Sequence, residues 1–229
     1  MAEVTKLDPS EVALNEARRE AALAERDRSR ELTRLAKLDA DYRELELAGK
    51  GRTEKMDLAR DINNHVYVFN QEVSEKSVNL AIDALGSFHR KDPGCSITIQ
   101  ITSPGGDILS GFALIDYIRW LRLEGHSVTT VTFGYAASMA GVILQAGDQR
   151  VMSKNALLLI HEGSLGVRGD YAKVEDMVAL MKKMHGMILD LFLERATVTR
   201  RFISKNWERR DWWITAEEAL KYGFIDSIL

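Results

Sequence analysis

The chain has 229 residues, with 31 lysines and arginines against 34 aspartates and glutamates, giving a formal net charge of −3. That length suits one large domain or one domain with an extension, and the near balance of charge argues against a general affinity for nucleic-acid phosphates or anionic lipid. Cys95 is the only cysteine, which excludes an intrachain disulfide and a multi-thiolate metal cluster. No run is apolar enough to span a bilayer, and the N-terminus lacks the apolar core of a secretion signal. The expectation is a cytoplasmic protein without a membrane or nucleic-acid partner, and with no metal or cofactor.

Residues 1–60 read as a charged helical arm. Asp8-Pro9-Ser10-Glu11 has the form of a helix start, with Asp8 as the cap and Pro9 in the first turn. Apolar residues recur at Leu14, Ala17, Ala21 and Ala24, and again at Leu32, Leu35, Tyr42 and Leu45. Gly49-Lys50-Gly51 is the expected end. The arm is either a solvated helix or a coiled-coil or partner-binding one.

Residues 61–229 read as a second domain, in which strands alternate with helices from about Ile62. Expected strands are residues 66–69, 96–102, 127–133, 149–152, 156–160 and 224–228. Expected helices are residues 74–88, 108–121, 139–145, 170–196 and 215–222. His89 to Gly94 reads as a loop, and Ser103-Pro104-Gly105-Gly106 as a sharp turn. Alternation of this kind implies right-handed βαβ units on a mostly parallel sheet.

Four features bear on chemistry. Ser138 lies in Gly-Tyr-Ala-Ala-Ser-Met-Ala-Gly, between a strand and a helix, where a serine either caps the helix or serves as a nucleophile. A nucleophilic serine needs a base, and among the five histidines His161 stands apart. It follows the apolar run Ala156 to Ile160, and strand carboxyl ends are where α/β proteins gather their sites. His65, His89, His126 and His185 read singly as surface or packing residues. Ser103 to Gly106 is either a plain turn or an oxyanion site, with glycines that admit a substrate backbone. Asp148, Asp170, Asp190, Asp211 and Asp226 are the downstream acids. Asp211 is favoured because Trp212-Trp213-Ile214 would help bury it.

Together these segments resemble the proteolytic subunit of the Clp protease, ClpP. Ile101 to Gly106 is similar to its strand-and-glycine segment, and Gly134 to Ala140 to its nucleophile motif. Leu159-Ile160-His161 is similar to its histidine motif. Asp211 to Ala219, with Tyr222 to Asp226, is similar to its C-terminal segment. The resemblance runs in one order from about Val66 to Leu229. It implies a ClpP/crotonase-like spiral of βαβ units, preceded by the arm. It implies a serine endopeptidase with Ser138 as nucleophile, His161 as base and Asp211 as orienting acid. Backbone N–H groups of Gly106 and Met139 would form the oxyanion hole. Asp107, Ile108, Glu162 and Gly163 would hold the peptide as an added strand.

The resemblance further implies a homo-oligomeric ring, heptameric or tetradecameric, with helix 170–196 where rings meet. Implied partners are a polypeptide substrate and an unfoldase ATPase. For the phage enzymes of this type, which mature the capsid by cutting scaffold, the partner is a scaffold or capsid protein. The chain departs from the family pattern at Gly163, where a proline is usual. It departs again at the arm, where a short apolar segment is usual. A crotonase-type acyl-CoA enzyme, a Ser–Lys peptidase using Lys205 and an inactive ring homologue are the alternatives.

Overall fold

A computed structural model describes residues 9–58, 64–163 and 170–229, and the chain divides into two compact units, residues 1–59 and 60–229. The first contains one long helix, α1 (Pro9–Leu58). Asp8, the expected cap, lies outside the described residues. The helix does not stop at Gly49 but continues through Gly51 to Leu58. A glycine inside a helix costs only about 1 kcal/mol relative to alanine, and the Arg52 to Leu58 stretch contains strong helix formers. Side chains from Ala13 to Leu47 are exposed. Local pairs such as Arg43 with Asp39, 2.9 Å apart one turn away, brace the helix.

The second unit contains β1 (Val66–Phe69), α2 (Glu75–Lys91), β2 (Ser96–Ser103), α3 (Ile108–Leu123), β3 (Ser127–Ala137) and α4 (Met139–Leu144). There follow β4 (Gln149–Met152), β5 (Leu157–Ile160), α5 (Tyr171–Leu193), α6 (Arg200–Trp207), β6 (Trp212–Thr215), α7 (Ala216–Tyr222) and β7 (Ser227–Ile228). The parallel path runs β1-β2-β3-β4-β7. β5 branches from β3, and β6 joins β5 as an antiparallel edge.

The strand alternation of β2 fixes its faces: Ile97, Ile99 and Ile101 are buried, and Thr98 and Gln100 are half-buried. α2 starts with a reciprocal capping box between Ser74 and Ser77, and buries Val78, Ala81, Leu85 and Phe88. It continues through His89-Arg90-Lys91, expected as loop, because basic residues suit the negative end of a helix. α3 buries Leu114, Ile115, Ile118 and Leu121. On α5, Met181, Met184 and Ile188 are buried, so much of the methionine stripe is core packing.

Three further expectations change. β3 does not end at Phe133. It bends at Gly134, whose φ of 74° suits glycine, and continues to Ala137 by taking β5 as a new neighbour. α6 and β6 were not expected. β7 is shorter than residues 224–228. Phe224 N–H bonds to Ala219 O at the end of α7, and Asp226 turns to Arg150, leaving Ser227 and Ile228 to pair with Val151 and Met152. Among the described residues no helix is long and apolar enough to cross a membrane.

Candidate active site

Ser138 stands where β3 stops and α4 begins. Its φ of 54° and ψ of −126° place a non-glycine residue in a strained conformation that costs about 1–3 kcal/mol. The surroundings hold it there. Its N–H bonds to Leu159 O at 2.9 Å, and its carbonyl accepts from Gly141 N–H at 3.0 Å. Its side chain makes no cap bond to α4. Instead Oγ lies 2.8 Å from His161 Nε2. The helix-cap alternative therefore fails for this serine.

His161 follows β5, which pairs with the end of β3 through Ala137↔Leu159. Asp211 precedes β6, which pairs with β5 through Ile160↔Trp212. The ladder β3-β5-β6 thus sets Ser138, His161 and Asp211 side by side. His161 Nδ1 lies 3.4 Å from Asp211 Oδ1, an ion-pair distance longer than a good hydrogen bond. Asp211 was expected to be buried, but its side chain is 62% exposed. Trp212 faces inward among Phe202, Tyr222 and Phe224, while Trp213 faces outward. Neither indole encloses the carboxylate.

The competing acids have other tasks. Asp148 pairs with Arg122 at 2.5 Å, Asp170 caps α5, Asp190 pairs with Arg200 and Asp226 pairs with Arg150. The nearby Arg210 donates to Asn206 O and Lys205 O. Lys205 lies on α6 and is not among the residues that line the cleft around Ser138.

The glycine turn backs onto the serine. Ser103 is fully buried; its Oγ donates to Gln71 O at 2.6 Å and accepts from Gly105 N–H at 3.2 Å. Gly105 has φ 87°, and a Cβ there would lie 2.7 Å from Ser138 Cβ and 2.5 Å from Ala137 O. Val73 bonds to Gly105 O and Asp107 N–H, in a parallel bridge centred on Gly106. Alternation along that bridge turns the N–H of Gly106 away from Val73. Gly106 and Met139 both line the cleft with Ser138 and His161.

Ile108, Glu162 and Gly163 line it too. The Asp107 carboxylate accepts from Ser110 N–H at 2.7 Å through Oδ1 to cap α3. Glu162 Oε2 accepts from Arg209 N–H at 3.3 Å, tying the segment after His161 to the one before Asp211. Val142, Ile160, Ile188 and Phe192 give the cleft an apolar wall. The sequence reading missed Ile188 and Phe192 as wall residues; their one-turn spacing on α5 was the available signal.

The profile of the Clp protease family matches residues 50–229. The chain belongs to the Clp protease family. It is similar to the ATP-dependent Clp protease proteolytic subunit of Deinococcus radiodurans, 28% identical over 187 residues, covering 81% of this chain and 90% of the relative. It is 36% identical over 165 residues to the ATP-dependent Clp protease proteolytic subunit 1 of Chlamydia pneumoniae, covering 70% and 84%. With subunit 2 of Cutibacterium acnes the identity is 30% over 185 residues, covering 80% and 85%. The family makes this chain a serine peptidase, and its α/β fold with a mostly parallel sheet is the one the motifs implied.

Proposed function

We propose that the chain is a serine endopeptidase working through Ser138, His161 and Asp211. The observation that carries this reading is the 2.8 Å contact between Ser138 Oγ and His161 Nε2, at a strained elbow whose serine makes no cap bond. His161 Nε2 takes the Oγ proton as Oγ attacks the scissile carbonyl carbon. The oxyanion is met by the N–H groups of Gly106 and Met139. His161 then passes its proton to the leaving amine as the C–N bond breaks. Water, deprotonated by His161, releases the acyl group and restores Ser138. Asp211 holds the His161 tautomer with Nδ1–H outward. The peptide lies as an added strand along Gly106 to Ile108 and Glu162 to Gly163, with an apolar side chain against Val142, Ile188 and Phe192.

A fluorophosphonate probe tests this directly. It labels Ser138 in the wild type, and labelling is lost in Ser138→Ala and in His161→Ala. Labelling unchanged by His161→Ala rejects the triad.

The working form is a homo-oligomeric ring, heptameric or tetradecameric, enclosing the clefts. Exposed Val178, Leu180 and Met187 on α5 support this helix as an assembly face. Mass measurement of the native particle tests the ring. The "ATP-dependent" names of the relatives support an ATPase partner. A second reading of the partner rests on α1, most of which lies before the family match. In that reading the charged helix binds a phage scaffold or capsid protein. A pull-down in which deletion of residues 1–60 leaves every partner bound excludes it.

A further inference from the structure

The amino-terminal edge of the sheet gathers polar side chains that the cleft does not use, with Cys95 packed against the core and His65 edge-on to Phe88. His65, Cys95 and His126 each come directly before a strand: β1, β2 and β3. Those strands are parallel neighbours, in register through Val66↔Thr98 and Ser96↔Ser127. Ser138 lies at the opposite, carboxyl end of β3.

The chain between α2 and β2 supplies a fourth group. Cys95 N–H bonds to Asp92 O at 3.2 Å, closing the turn Asp92-Pro93-Gly94-Cys95. Proline in its second position and glycine with φ 80° in its third are what a type II turn requires. The turn brings the Asp92 carboxylate and the Cys95 thiol to one point. His65, with φ 56°, adds its imidazole; its Nε2 lies 3.8 Å from Asp92 Oδ2. One ligand atom from each of His65, Asp92 and Cys95 lies within 4.8 Å of the others.

Behind them stands a supporting layer. His126 is 3% exposed, with Nδ1 at 3.0 Å from Cys95 O and 3.5 Å from Cys95 Sγ. Its Nε2 lies 2.9 Å from His89 Nδ1. The network assigns a proton to His126 Nδ1, donated toward Cys95, and one to His89 Nδ1, donated to His126 Nε2.

We infer that His65, Asp92 and Cys95 form a binding site for a divalent transition-metal ion, zinc fitting best, with His126 and His89 steadying the thiolate. One nitrogen, one carboxylate oxygen and one sulfur is a borderline-soft donor set. It suits zinc and does not suit magnesium or calcium, which take oxygen ligands. Bonds of about 2.0–2.3 Å hold tetrahedral ligand atoms about 3.3–3.7 Å apart, so ligand atoms now within 4.8 Å of one another must draw in by about 1 Å to hold an ion. A bound ion would tie the start of β1 to the α2–β2 turn.

The test uses the full chain, stripped with chelator, loaded with excess zinc and passed through a desalting column before elemental analysis. About one zinc per chain stays bound, and cobalt gives a near-ultraviolet thiolate charge-transfer band. Cys95→Ser abolishes that band, and Cys95→Ser, His65→Ala and Asp92→Asn each lower zinc affinity by at least about 10-fold. His161→Ala keeps zinc, which separates this site from the histidine of the cleft. Thermal melting in chelator, matched to wild type, shows that each variant is folded. Zinc lost from the wild type on the column overturns the proposal. So do a cobalt spectrum without the thiolate band and folded Cys95→Ser and His65→Ala variants that bind zinc as tightly as wild type.

Discussion

Replacing Gly105 with alanine tests whether the glycine turn sets the position of Ser138. The added Cβ would lie 2.7 Å from Ser138 Cβ and 2.8 Å from Met139 N, where ordinary contact begins at 3.4 Å. Something must move by about 0.7 Å at the serine, since backbone and a Cβ cannot swing aside as a side-chain tip can. A misplacement of about 1 Å costs on the order of 100-fold in rate. We expect kcat/KM on a fluorogenic peptide, and the rate of fluorophosphonate labelling, to fall about 30- to 100-fold. Gly105→Ala also pays for its φ of 87°, as Gly125→Ala does for 93°, but a Cβ at Gly125 meets nothing within 4 Å. Gly125→Ala should lose about 1–2 kcal/mol of stability from its φ alone, Gly105→Ala more because of its clashes, and only Gly105→Ala should lose activity. Equal activity in the two variants, with Gly105→Ala within threefold of wild type, would refute the reasoning.

Other substitutions separate the roles within the site. Asp211→Asn removes a charge 3.4 Å from His161 but largely in solvent. At that distance a pair is worth about 1 kcal/mol in water and about 5 at an effective dielectric of 20. Exposure weights the lower end, so a 10- to 30-fold loss of kcat/KM is expected; a loss equal to that of Ser138→Ala would place the carboxylate in a closed site in the working enzyme. Ile188→Ala widens the apolar wall and should shift cleavage about 10-fold toward larger apolar residues; an unchanged product profile by mass spectrometry contradicts that wall.

Burial raises the Asp226 carboxyl, but hydrogen bonds from the Arg150 side chain and backbone, with the charges of Arg150 and Arg195, hold it below its usual value. A carboxyl lowered in the folded state adds stability that is present above its unfolded value of about 3.9 and lost as pH falls through the folded one. Wild type should therefore lose melting temperature below about pH 4 more steeply than Asp226→Asn. At neutral pH that variant should melt lower, because Arg150 is 2% exposed and left short of a partner. Parallel acid slopes for the two proteins would count against this account.

Local pattern revealed most elements of the second unit because their signals are local. β2 alternates cleanly, Ser74 caps α2, and α5 has a continuous apolar stripe. What escaped depends on distant neighbours. β3 passes Gly134 because β5 offers it a second ladder, and β6 is four residues that become a strand only against β5. Asp211 was legible as a position but not as an exposed one, because Trp212 and Trp213 point to opposite faces. His65 and His126, each taken alone, read as surface or packing residues. That His65, Cys95 and His126 begin three adjacent strands is a fact of register, and register is not written in any single segment.

The fork in β3 divides the site into two mechanical parts. Ser138 and His161 cap two parallel strands tied by backbone, with Ser138 N–H bonded to Leu159 O. Their spacing is held by amide hydrogen bonds within the interior. Asp211 directly precedes the edge strand β6, which has one neighbour, and its own side chain is exposed. Loosening should therefore begin at β6. It would part the carboxylate from the imidazole while the serine and histidine stay in register, which under the proposed mechanism would lower activity and leave Ser138 in place. Amide exchange along β6 should run ahead of exchange at Ser138 and Leu159.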